Sequence, residues 1–354
     1  MQRIGTRACM ILSSVTLDNF RSYPKQTFQF SPTTTLIIGP NTAGKTNILE
    51  AIVFLATGKS FRADSDREMI AWNEEFGRVS AVVGDTKLEA LVTGGIIGGQ
   101  PAPFKKYLVN GVSRRLVDFL GNLRVVLFWP EHLALVTQSP SLRRRYLDSV
   151  LMQVDREYRR NLLSYERGIR QRNSLLERIK EGFAQRSQLL FWDQLLIKAG
   201  GYITDKRAQY IDFVNNFQFS IRNFQLMYDK SVISENRLEQ YAMEEIAAKA
   251  TLVGPHRDDF IFYKQDKELS KFGSRGEQRL AVLWLKLAEL SYIQNEVGER
   301  PILLLDDIFS ELDSVHRSLV FDLIGKQQTI ITSAESDILG ENKFVDATVI
   351  KLAL

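Results

Sequence analysis

Leu36-Ile37-Ile38-Gly39-Pro40-Asn41-Thr42-Ala43-Gly44-Lys45-Thr46 is the stretch that decides the fold. Three apolar residues ending in glycine read as a buried strand. Ile48, Ile52 and Leu55 beyond it are spaced as one face of a helix. Between them, Gly39 to Thr46 matches G-x-x-x-x-G-K-T, and strand-then-helix is the context that confirms this pattern. Glycines let backbone N–H groups approach phosphate oxygens, and a helix N-terminus adds the positive end of a dipole. Lys45 is a point charge suited to the β- and γ-phosphates of ATP, and Thr46 offers a hydroxyl to Mg²⁺. Gly39, Pro40, Asn41, Thr42, Ala43, Gly44, Lys45 and Thr46 are thus the expected nucleotide-binding residues, with ATP and Mg²⁺ as cofactors.

Leu303-Leu304-Leu305-Asp306-Asp307 supplies the second half of such a site. A buried strand, expected beside that of the P-loop, would carry Asp306 to the metal and Asp307 towards the attacking water. A helix cap after a strand would explain the two acids alone; with a P-loop in the same chain the metal reading prevails. Gly273-Ser274-Arg275-Gly276-Glu277-Gln278-Arg279 precedes a helical pattern through Leu280, Leu283, Leu285 and Leu287. It fits a capped helix start, with Ser274 as cap and Glu277 three residues on. Ser310-Glu311-Leu312-Asp313 follows the acid pair after Ile308-Phe309.

Further strands are expected at Val125-Val126-Leu127-Phe128, Pro301 to Leu305, Thr329 to Thr332 and Ala347 to Ile350. A hairpin is expected at Tyr107 to Val112, where Asn110-Gly111 supplies two positive-φ residues. After Pro130 the texture changes. Leu147, Leu151, Val154, Tyr158, Leu162, Tyr165 and Ile169 form one stripe of a long helix. Trp192, Leu195, Ala199, Tyr202 and Ile203 form a second, with a turn between Lys180 and Ser187. The expected layout is an α/β head in two parts, residues 1–130 and 246–354, around a helical lobe at 131–245 containing an antiparallel hairpin.

The net charge is only +4, but residues 141–180 hold ten Arg and one Lys against five acids. Such a concentration suits a polyanion and equally suits a solvated helix face. Arg143, Arg144, Arg145, Arg159 and Arg160 are the expected DNA-contacting residues on the first reading. Cys9 is the only cysteine, which excludes a disulfide within the chain and fits a reducing cytosol. No apolar run reaches membrane-spanning length, and Ala8 to Leu12 is too short for a signal-peptide core. A zinc site is not expected from one cysteine and scattered histidines. His132 and His316 read as surface residues. His256 reads as either an interface residue or part of a structural turn.

Residues 273–279 resemble the signature loop of ABC-type ATPases, and residues 310–313 resemble their D-loop. Leu17-Asp18-Asn19-Phe20-Arg21-Ser22-Tyr23 resembles the strand that precedes the P-loop in SMC-like ATPases. Four blocks complete the resemblance, taken in order: Ala56-Thr57-Gly58-Lys59-Ser60-Phe61-Arg62; Ser139 to Asp148; Tyr165 through Gln171-Arg172-Asn173; and Gly254-Pro255-His256-Arg257-Asp258-Asp259. With this order and spacing the chain is similar to the RecF family of gap-repair ATPases. The resemblance implies an ABC-type P-loop head with an inserted helical lobe. It implies an ATP-dependent homodimer that clamps duplex DNA near single-stranded gaps in recombinational repair, replication-fork recovery and the SOS response. It further implies cooperation with RecR, RecO and RecA, a weak DNA-dependent ATPase activity that resets the clamp, and a cytoplasmic, nucleoid-associated location. By position, Arg21 joins the nucleotide-binding residues, Asp306 and Asp307 are catalytic, and Ser274 acts on the opposing protomer's ATP.

Several positions depart from the wider pattern. Thr42 stands where glycine is frequent, Arg275 where glutamine is expected and Asp307 where many ABC-type heads have glutamate. Ser333-Ala334-Glu335 lacks the histidine of transporter ATPases. These bear on hydrolysis rate more than on nucleotide binding. A transporter ATPase would have no use for a basic hairpin. A long-armed SMC protein would need far more than residues 131–245 at ~1.5 Å per helical residue. An SMC-related nuclease would need further acids or histidines for cutting.

Overall fold

The computed structural model describes residues 10–218, 224–310, 314–334, 344 and 347–353. The chain forms two compact units, Met1–His132 with Glu289–Leu354, and Leu133–Ala288. Residues 246–288, grouped with the head on sequence, therefore belong to the helical unit. The reason is pairing: the strand Asp259–Lys264 lies antiparallel to Phe224–Asp229, inside that unit.

The first unit contains two sheets. One is antiparallel, in the order Tyr23–Gln29, Leu12–Phe20, Phe76–Val83, Thr86–Thr93, Lys105–Val109, Val112–Arg114. Val79, Ala81 and Val83 alternate with more exposed neighbours, the pattern of a sheet with one covered face. The expected hairpin closes this sheet through Asn110 and Gly111, at φ 50° and 77°. The other sheet is parallel, in the order Val125–Phe128, Ile302–Asp306, Thr329–Ser333, Thr34–Ile38, Thr348–Lys351. Every residue of the three central strands is buried, as in a sheet covered on both faces. Gln328 joins distant parts of the chain. Its amide nitrogen donates to the carbonyls of Leu12 (2.8 Å) and Ser31 (2.7 Å), and its oxygen accepts from Leu12 N (2.7 Å).

In the second unit the single long helix expected from Leu147 to Ile169 is two helices, Pro140–Val154 and Arg156–Lys180. Asp155 breaks it, its carboxylate capping the second helix through the N–H groups of Glu157 (2.8 Å) and Tyr158 (2.9 Å). The hairpin then returns along Leu190–Asn216. A Cβ on Gly168 would lie 2.9 Å from Leu196, and one on Gly200 would lie 3.0 Å from Tyr165, so the helices run antiparallel and meet closely at small residues. The buried face of the returning helix is Leu196, Ala199, Ile203, Tyr210 and Val214; Trp192, Leu195 and Tyr202 of the expected stripe are only half-buried. The chain crosses back to the first unit within the helix Arg275–Val297. No helix among the described residues is long and apolar enough to cross a membrane.

Candidate functional site

The strand Thr34–Ile38 delivers the loop 39–44, and the helix Lys45–Thr57 begins at its end. Gly44 caps that helix at φ 89°, and a Cβ there would lie 2.7 Å from the Tyr23 hydroxyl, so only glycine fits. Thr42 adopts φ 76°, a left-handed conformation unusual for a branched residue. The loop is held from outside by Tyr23, whose hydroxyl donates to Ala43 O at 3.3 Å. Lys45 is buried, and its ammonium donates to the loop's own carbonyls, Gly39 O at 2.7 Å and Pro40 O at 3.0 Å.

Thr46 donates its hydroxyl proton to Asp306 Oδ1 at 3.2 Å, which brings the two expected metal-binding residues together. Their strands are not neighbours: Thr329–Ser333 lies between Thr34–Ile38 and Ile302–Asp306. That intervening strand supplies Thr332, whose hydroxyl donates to the same Asp306 oxygen at 2.6 Å. Burial is the largest influence on the Asp306 carboxyl and raises its pKa. The hydroxyls of Thr332 and Thr46 oppose it, and Asp307 next door adds to the rise. Asp307 sits at φ 50°, with its N–H on Thr332 O (3.2 Å) and Thr332 Oγ1 (3.1 Å).

Arg21 is committed to Glu50 on the P-loop helix, with Nε at 2.8 Å and Nη2 at 2.6 Å. Ser60 (2.6 Å) and Arg62 (2.9 Å) reach the same fully buried carboxylate. Burial alone would raise the Glu50 pKa, but Arg21, Ser60 and Arg62 together hold it below the ordinary value. The segments 17–23 and 56–62 thus converge on one buried charge beside the P-loop. Arg62 also bonds Asn47, next to Thr46, and its charge reaches Asp306. Glu50, Arg62 and Thr332 escaped the sequence reading; the ATGKSFR block around Arg62 was the only signal for any of them.

In the helical unit, Ser274 caps the helix Arg275–Val297. Its N–H and hydroxyl both donate to Glu277 Oε2, at 2.9 and 3.0 Å. Lys264 holds the other Glu277 oxygen at 2.7 Å. The lysine and the cap together keep this carboxyl down to about 2. Of the proposed D-loop, residues 311–313 lie outside the described residues, as do the side chains of Ser310 and His316.

The arginines expected on DNA divide. Arg143 is buried: Nε and Nη2 pair with Asp259 at 2.6 and 2.9 Å, and Nη1 donates to the carbonyls of Leu135 and Gln138. Arg159 is buried on Met152 O and Gln153 O, the last carbonyls of the preceding helix. Both are structural, and the expectation that they contact DNA is corrected. Arg144 is half-buried and donates to Asp258 O at 2.8 Å. Arg145 and Arg160 are exposed, the latter 3.3 Å from Glu157.

His256 is held in this unit through both of its ring nitrogens. Its Nε2 lies 2.9 Å from Thr251 O, which can only accept, so Nε2 carries the proton and Nδ1 accepts from the Tyr165 hydroxyl at 2.8 Å. Burial pushes its pKa down to about 4. Nearby, Arg207 bridges Asp148 (2.7 Å) and the fully buried Asp258 (3.1 Å), and donates to Pro255 O (2.6 Å). Arg172 bridges Asp193 and Glu245, both at 2.7 Å. The blocks at 139–148, 165–173 and 254–259 are therefore parts of one buried polar network.

The model of the RecF/RecN/SMC N-terminal domain family matches residues 11–350. The DNA replication and repair protein RecF of Chloroflexus aggregans is 38% identical over 368 residues, covering 92% of this chain and 93% of its own. That of Roseiflexus castenholzii is 36% identical over 373 residues, covering 93% and 94%. Among solved structures, the recombination mediator protein RecF-ATP of the RecFOR pathway superposes with a TM-score of 0.86 at 31% identity, covering 95% of each chain. The ATPrS form of that mediator gives 0.83 at 32% identity over 94% of each. With a family match across nearly the whole chain and relatives above 30% identity over more than nine-tenths of their lengths, this chain belongs to the RecF family.

Proposed function

We propose that the chain binds ATP with Mg²⁺ at the P-loop, dimerises on doing so, and clamps duplex DNA near single-stranded gaps during recombinational repair. The observation that carries this is the state of Lys45. Among the described residues its buried ammonium meets two neutral carbonyls and no carboxylate, so a triphosphate entering the loop would supply the anionic partner that these carbonyls are not.

The donor set fits the metal. Thr46 Oγ1 and Asp306 are hard oxygen donors 3.2 Å apart, and Mg²⁺ takes such oxygens alongside phosphate and water. Thr46 spends its proton on Asp306 and keeps its lone pairs for an ion. When bound, Mg²⁺ would neutralise charge on the β- and γ-phosphates. The chain's own groups do the rest: Lys45 grips the terminal phosphates, Thr46 and Asp306 hold the ion, and Asp307 orients the attacking water. Ser274 acts on the nucleotide of the second protomer.

DNA contact falls to exposed basic positions, Arg145, Arg160, Arg167, Arg170 and Arg178. Phosphate contacts of this kind position a duplex without reading its bases and weaken steeply with salt. The family reading adds RecR, RecO and RecA as partners and a slow hydrolysis that releases the clamp. Sedimentation of the purified chain without nucleotide, with ATP and Mg²⁺, and with gapped duplex added tests the whole. The expected series is monomer, dimer, and dimer on DNA; a sedimentation coefficient unmoved by ATP rejects it.

A further inference from the structure

The strand between the P-loop and acid-pair strands has no assigned role, yet Thr332 near its end touches both acids. It is fully buried. Its hydroxyl has one proton, given to Asp306 Oδ1 at 2.6 Å, and a lone pair that accepts from Asp307 N at 3.1 Å. One oxygen atom therefore fixes the carboxylate of the first acid and the backbone of the second. The backbone at Asp307 needs such a hold, because φ 50° is a left-handed conformation that a non-glycine residue keeps only when its surroundings impose it.

The two donors to Asp306 differ in permanence. Thr46 sits at the mouth of the phosphate loop, where its oxygen has a second task once an ion arrives. Thr332 lies in a wholly buried strand, registered directly against Asp306 and against Ile37 of the P-loop strand. Both hydroxyls fall on Oδ1, which leaves Oδ2 as the oxygen for the ion or its water.

We propose that Thr332 is the positioning residue of the acid pair: its hydroxyl orients the Asp306 carboxylate for Mg²⁺ and sets the turn that presents Asp307. This rests on the nucleotide-and-metal reading of the site given above. Outer partners of metal-binding carboxylates commonly contribute 10–100-fold to metal affinity. The chain's strand order, not its local sequence, is what places this hydroxyl there.

The test is equilibrium binding of a fluorescent ATP analogue with and without Mg²⁺. It compares wild type, Thr332→Val, Thr332→Ser and Asp306→Asn, with thermal unfolding of each. Valine keeps the shape and removes the hydroxyl; serine keeps the hydroxyl. The expected result is that Thr332→Val lowers the Mg²⁺-dependent gain in affinity roughly tenfold. Metal-free binding should hold, and Thr332→Ser should restore the gain. If Thr332→Val keeps the full gain while Asp306→Asn loses it, the proposal is overturned and the site reading stands. If Asp306→Asn also keeps it, both fall together. Equal losses with and without Mg²⁺ would make Thr332 a packing residue only and would overturn the proposal. Should the valine variant fail to fold, Thr332→Ala against Thr332→Ser makes the same comparison.

Discussion

Lys45 in the head and Arg207 in the helical unit are both buried cations, and they are kept in opposite ways. Lys45 rests on two backbone carbonyls. Arg207 is clamped between two carboxylates, Asp148 and Asp258, and a carbonyl. A carbonyl carries only a partial charge, so an arriving phosphate outcompetes it. A carboxylate satisfies the cation fully, and its removal would strand a charge in a dry interior. Burial is common to these two cations; the formal charge of their partners is what separates them.

The comparison can be broken at either end. The largest effect belongs to Lys45→Ala, which should weaken ATP binding roughly 100-fold or more and abolish ATP-induced dimerisation, while leaving the unfolding transition in place. Nucleotide titration by calorimetry checks it, and near-normal affinity would remove Lys45 from the site. Arg207→Met should cost about 3–5 kcal/mol of stability by urea unfolding, because Asp258 would lose the guanidinium paired with its carboxylate and remain fully buried. A loss below about 1 kcal/mol would mean that this network is not what holds the unit.

A smaller effect sharpens the contrast among arginines. Arg145→Ala with Arg160→Ala should leave unfolding unchanged and lower the salt dependence of DNA binding by about two units of slope. Arg143→Ala should do the reverse, lowering stability without specific loss on DNA. Filter binding across a salt series, beside thermal melts, separates the two. The last effect is a pH dependence. His256 is held neutral, with its folded pKa lowered to about 4. Below its unfolded value near 6.5 the unfolded chain takes up a proton that the folded chain refuses. Stability should therefore fall as pH drops from about 6.5 to 4, and His256→Gln should flatten that part of the curve. An unchanged slope in the variant would place the proton uptake elsewhere.

Much of the head was legible because its signals are local. The P-loop, the apolar strands and Asn110-Gly111 each carry their instructions within a few residues. The break at Asp155 was hidden because apolar spacing continues across it, while the capping side chain is what stops the helix. Arg143 and Arg159 read as surface charge because nothing near Arg143 in the chain announces Asp259, which lies 116 residues on. Thr332 was hidden for a similar reason. A threonine in a β-branched run is an ordinary strand residue until strand order sets it against Asp306. Glu50 sat on what read as a plain helix, and only the folded arrangement of Arg21, Ser60 and Arg62 shows it as a shared anchor.

The parallel sheet also dictates an order of events during synthesis. The P-loop strand is flanked by Thr329–Ser333 on one side and Thr348–Lys351 on the other, and Leu352 N closes onto Ile38 O at 2.8 Å. A ribosome that has made residues 1–300 has therefore released a nucleotide loop with neither of its flanking strands. On the proposed reading of the loop, such a nascent chain should not hold nucleotide until the strands between 302 and 351 have emerged, whereas the intervening helical unit, continuous from 133 to 288, can fold before them.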